Sequence, residues 1–272
     1  MNLRFVTALL ATFSQALPCS IAQTHALIDV GDHKLAISKL GDGQPTVILE
    51  DGGGGSIGSW SVIQPRIGEF TSVVAYSRSG RGASEVAKSP RTLIAVVEEL
   101  RTLLHRSGTK PPYVLVGRSL GGIYVRAFAM KYPSEVAGLV LIDASHERQG
   151  IEFARASGMT IEDYLKTARS AVRDESMLRE MAGLESVMIA GDLGITAKLP
   201  DIPLVVITNT RIDGPASVLK AWRSLQEEVF STTTQGMHIV TARSGHDVAG
   251  RDPDLVVSAV RTVIDLVRQN MR

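Results

Sequence analysis

Tyr113-Val114-Leu115-Val116-Gly117-Arg118-Ser119-Leu120-Gly121-Gly122 carries an apolar run directly into a Gly-x-Ser-x-Gly turn. That five-residue pattern alone recurs by chance in roughly one chain in ten of this size. Here its setting gives it weight. A strand enters, and a helical pattern from Ile123 to Tyr132 leaves and is stopped by Pro133. A serine on so sharp a strand-to-helix turn projects its hydroxyl above the sheet, and the flanking glycines keep neighbouring Cβ atoms apart. The helix N-terminus also supplies backbone N–H groups and positive dipole where an oxyanion would form. Ser119 is therefore the candidate nucleophile.

Outward from this turn, apolar runs alternate with helical patterns. Thr46–Leu49, Ser72–Tyr76, Tyr113–Val116, Gly138–Ile142, Leu204–Ile207 and His238–Thr241 read as buried strands. Unbroken apolar runs are what parallel strands covered on both faces require. His25–Ile28 and Lys34–Ser38 read as a leading antiparallel hairpin around Gly31-Asp32. One helix is expected to start with Ser89 as N-cap and Pro90 at the first helical position, and to stop at Gly108. The last helix repeats that design with Asp252 and Pro253. The pattern predicts an α/β fold, a mostly parallel central sheet with helices on both faces. The stretch between Asp143 and Pro200 is helical in pattern but has no convincing strand, and it is too long for a plain connection. It reads as a helical cap, at about 147–200, inserted before the last two strands. Its Met159, Met177, Met181 and Met188 either line an adaptable pocket or pack the cap onto the body.

An alkyl hydroxyl needs a base within hydrogen-bond reach. Of six histidines, His246 stands in Ser244-Gly245-His246-Asp247, after the last strand and at the sheet edge where Ser119 lies. The chain order serine, acid, histidine is also satisfied. His146, after the strand ending at Ile142, is the competitor and is expected to line the pocket instead. His25, His33 and His105 read as surface or structural. Two aspartates fit the acid: Asp143 at a strand end, and Asp213 in the turn after the next strand. Asp51-Gly52-Gly53-Gly54-Gly55 also follows a strand, but without a Lys-Ser/Thr pair it is no phosphate loop.

Composition bounds the rest. The 272 residues, 44% hydrophobic and 21% charged with net charge +1, are those of a globular chain with a sizeable core. No basic block suggests nucleic acid. Met1-Asn2-Leu3-Arg4, an apolar Phe5–Leu17 and Ser20-Ile21-Ala22 read as a signal peptide over 1–22. The expectation is a periplasmic or secreted protein spanning 23–272, with no stable membrane insertion after cleavage. The apolar run is short for a membrane anchor, and Pro18 before Cys19 disfavours a lipoprotein. Cleavage would remove the one cysteine and leave a near-neutral chain.

Several stretches resemble bacterial α/β-hydrolase fold-1 proteins: Leu49-Glu50-Asp51-Gly52-Gly53-Gly54-Gly55-Ser56 with Trp60, Ala75–Ser84, the serine turn, Leu141–His146 and Ser244-Gly245-His246. The resemblance implies Ser119 as nucleophile, His246 as base, and the N–H groups of Gly53 and Leu120 as oxyanion hole. It also favours Asp143 over Asp213 as the acid. The implied activity is that of an esterase-like serine hydrolase on a small acyl substrate, without metal or organic cofactor. A lactonase, amidase or carbon–carbon hydrolase would keep the same triad, and a non-catalytic small-ligand-binding relative is the other alternative. Oligomeric state is left open. Two positions depart from the family: Arg118 stands where a histidine usually precedes the serine, and Asp51 where a small residue or histidine precedes the oxyanion glycine.

Overall fold

The computed structural model describes residues 24–211 and 215–272. The segment read as a signal peptide, and Asp213, lie outside the described residues. In chain order the elements are β1 (Thr24–Asp29), β2 (Lys34–Leu40), β3 (Thr46–Glu50), α1 (Ile63–Gly68), β4 (Val73–Tyr76), α2 (Leu93–Arg106), β5 (Tyr113–Arg118), α3 (Gly121–Lys131) and β6 (Val136–Ile142). They continue with α4 (Gln149–Ala156), α5 (Ile161–Ser170), α6 (Glu175–Ala190), β7 (Leu204–Asn209), α7 (Ala216–Phe230), β8 (Gly236–Thr241), α8 (Val248–Arg251) and α9 (Pro253–Asn270). The strands form one sheet in the order β1-β2-β4-β3-β5-β6-β7-β8. β1, β2 and β4 pair antiparallel, and every pair from β4 through β3 to β8 is parallel.

Side chains alternate across a pleated strand, so one strand feeds two cores. Ile48, Leu115, Leu139 and Leu141 pack with α2 and α3 on one face. Val47, Leu49, Val114, Val116, Val140 and Ile142 pack with α1 and α9 on the other. The central strands β3, β5 and β6 are thus covered on both sides, as their unbroken apolar runs require.

Three expectations are corrected. α2 starts at Leu93, where Thr92 Oγ1 accepts from Ala95 N–H, rather than at Pro90. The Lys88 and Ser89 N–H groups instead donate to Asp32 Oδ2 of the leading hairpin, and that tertiary contact keeps the segment out of the helix. β8 is an edge strand with Met237 48% and Val240 57% exposed, not a strand buried on both faces. Asp252 stands at the N-cap of α9, but its side chain makes no capping bond.

Candidate active site

β5 ends at Arg118, and α3 begins at Gly121. The turn between them is tight enough that a Cβ on Gly121 would lie 2.5 Å from the Glu50 carbonyl oxygen, so only glycine fits there. Ser119 has φ +49°, and Asp143, on the neighbouring strand end, has φ +44°. Among the described residues these are the non-glycine positions in the left-handed region. That conformation costs of order 1–3 kcal/mol each and persists where the surroundings over-determine it.

The strained pair meets on one imidazole. His246 Nδ1 lies 2.6 Å from Asp143 Oδ2, and His246 Nε2 lies 2.9 Å from Ser119 Oγ. A carboxylate can only accept, so Nδ1 carries the proton and Nε2 offers its lone pair to the serine hydroxyl. The other Asp143 oxygen accepts from Asn209 N–H and from Trp222 Nε1–H, each at 2.9 Å. Asp143 is fully buried, whereas the His246 side chain is 60% exposed.

Gly53, on the loop after β3, and Leu120, after the serine, both line a cavity with Ser119. Among the described residues neither N–H has a protein acceptor. The cavity holds about 240 Å³ and is roofed by α5 and α6 through Leu165, Met177, Met181, Leu184 and Met188. Three of the four methionines singled out from the sequence are therefore in the wall; Met159 is not, and is 37% exposed. Met177 and Met188 also pack on the core, so both readings of the methionines hold for them.

His146 does not line this cavity, contrary to expectation. It is buried, its Nδ1 accepts from Arg148 N–H, and burial lowers its pKa to about 4. His25 and His105 are exposed, and His33 is buried against Glu99 and Asp32.

The sequence singled out neither Trp222 nor the buried cluster behind the Asp51–Gly55 loop. Arg78 Nε and Nη2 donate to Glu180 of α6 at 2.7 and 3.0 Å. Its Nη1 donates to Glu50 and to the Asp51 carbonyl, and Nη2 also to the Gly52 carbonyl. Tyr76 donates to the other Glu50 oxygen. Burial pushes the Glu50 carboxyl up to about 7. One guanidinium thus joins the glycine-rich loop after β3 to the roof of the cavity. A charged residue just past a buried strand was the available signal, but its partner Glu180 is 102 residues away.

The fold and this arrangement define a hydrolase of the α/β class. Residues 45–180, half of the chain, match the model of the alpha/beta hydrolase fold, and the chain belongs to that family. It is 28% identical over 129 residues to the uncharacterized protein YbdG of Bacillus subtilis (strain 168), a match covering 47% of this chain and 40% of that one. It is 23% identical over 225 residues to the uncharacterized protein YqjL of the same organism, covering 83% and 85%. Among solved structures, the carboxylesterase CesB (YbfK) from Bacillus subtilis superposes with TM-score 0.60 at 17% identity, over 90% of this chain and 92% of that one.

Proposed function

We propose that this chain is a serine hydrolase cleaving a carboxylic ester or a related acyl bond of a small molecule through an acyl-enzyme on Ser119. The observation that carries the proposal is the single imidazole bonded at 2.6 Å to Asp143 and at 2.9 Å to Ser119. Ser119 Oγ attacks the acyl carbon while His246 Nε2 takes its proton. Asp143 holds the imidazole in the tautomer that can do so and stabilises the cation that forms. The carbonyl oxygen, now negative, accepts from the N–H groups of Gly53 and Leu120. The bond to the leaving group then breaks, and His246 returns its proton to the departing oxygen. Water, deprotonated by the same nitrogen, attacks the acyl carbon and frees Ser119. The acyl portion lies in the apolar cavity under α5 and α6.

The test is hydrolysis of p-nitrophenyl acetate and butyrate by the wild type and Ser119→Ala, with fluorophosphonate labelling alongside. Turnover and labelling in the wild type, both lost in the variant, are expected. A folded wild type that neither turns over these esters nor labels at Ser119 overturns the proposal in favour of a binding protein.

A further inference from the structure

Arg118 directly precedes Ser119, and its guanidinium reaches both loops that converge on that serine. Nε donates to Asp51 Oδ1 at 2.8 Å, and Nη1 donates to Asp247 Oδ1 at 3.1 Å. Asp51 opens the loop that carries Gly53, and Asp247 follows His246. Asp247 also caps α8 by accepting from Gly250 N–H, so this bond fixes the histidine loop at a helix start.

Asp51 is an awkward residue to find here. It is 3% exposed, and its Oδ1 also accepts from Gly52 N–H at 2.7 Å. Its Oδ2 is buried without a hydrogen-bond partner among the described residues. The loop closes on it so tightly that a Cβ on Gly55 would stand 1.8 Å from Oδ2. A buried carboxylate two residues from an oxyanion donor opposes the negative charge that develops on the substrate. With Asp51 buried, such repulsion is screened less than between exposed charges. The cation that offsets it is Arg118.

We infer that Arg118 is a positioning residue: through its bond to Asp51 it neutralises that carboxylate beside the developing oxyanion. The inference rests on the serine-hydrolase reading of this site. It makes Asp51 and Arg118 one device, so the two departures from the family pattern explain each other. A cation at 118 is needed because an anion stands at 51. It also adds to the charge around His246, which bonds Asp143, adjoins Asp247 on its own loop, and lines an open cleft with Arg211, Arg243 and Arg251.

The experiment compares wild type, Arg118→Gln, Asp51→Asn and the double variant, with kcat, KM, the pH profile of kcat/KM and the fluorophosphonate labelling rate of each. Arg118→Gln strands the Asp51 charge. It is expected to lower kcat by about 10- to 100-fold with little change in KM, at or below the effect of losing one oxyanion donor. The acid limb of kcat/KM is expected to move to higher pH, because unpaired carboxylates favour the imidazolium form of His246. Asp51→Asn keeps an acceptor for Gly52 N–H and removes the charge, so in the double variant most of kcat and the position of the acid limb return. Rescue in the double variant also guards against poor folding of the single one. Losses that add in the double variant, or an acid limb that stays in place in Arg118→Gln, overturn the inference while the labelled, active wild type leaves the hydrolase reading standing. A wild type that neither turns over nor labels overturns both.

Discussion

Asp143 grips His246 with one oxygen and is itself held through the other by Asn209 N–H and Trp222. An amide at this position would present an N–H to Nδ1 and turn the imidazole to the wrong tautomer. Asp143→Asn is therefore expected to keep the fold and lower kcat by about 10⁴-fold. Steady-state kinetics on the p-nitrophenyl esters decide it, and wild-type turnover in this variant would return the acid's role to Asp213. That Ser119 and His246 meet was legible in the sequence because the proposed chemistry constrains their local setting: a glycine-flanked turn between strand and helix, and a loop after the last strand. Asp143 was legible only as one of two candidate aspartates, the other being Asp213 in the turn after the next strand. Trp222 was not legible at all, since an indole on α7 gives no sign of which carboxylate it will meet 79 residues away.

The cavity's roof is an element held by a charge. α6 presents Glu180 to Arg78 from a position 1% exposed, and removing one partner from a buried pair typically costs about 3–5 kcal/mol. Glu180→Ala is expected to destabilise the chain on that scale in urea unfolding, and to speed proteolytic cutting within 147–200. Glu180→Gln should do less, because Arg78 keeps Glu50 and an amide oxygen. Equal cutting of wild type and Glu180→Ala would mean that apolar packing alone seats α6. Elements were read well where their own periodicity fixes them, as in β3, β5, β6, α3 and α9. They were misread where a distant partner decides. Asp32 holds back the start of α2, and β8 looks like an interior strand in sequence because Ile239 and Val240 fit either place. α4 was not foreseen as a separate helix.

At the scale of the whole molecule, the unexpected residues are buried titratable groups, and they set its response to pH in opposite senses. His146 is held near 4 by burial, with Arg126, Arg148, Glu147 and Glu152 around it. The unfolded chain therefore binds a proton at 6.5 that the folded chain refuses, and stability falls as pH drops from about 6.5 towards 4. Glu50, raised to about 7 by burial beside Arg78, Tyr76 and Glu180, does the reverse. The folded chain keeps a proton that the unfolded chain loses near 4.5, so stability falls as pH rises from there through about 7. The two contributions oppose each other between about pH 4.5 and 6.5. Relative to wild type, urea unfolding between pH 4 and 8 is expected to show a profile tilted upward with pH in Glu50→Gln and downward in His146→Gln. Parallel profiles for both variants would contradict these assignments. The two-sided sheet was legible from apolar runs, whereas no run of sequence marks a carboxyl and an imidazole as interior. The left-handed backbone at Ser119 and Asp143 carries a different consequence. Conformation alone would favour glycine at both positions, and glycine there ends the chemistry proposed for them. Selection for a sturdier chain and selection for a working one therefore pull these two codons in opposite directions.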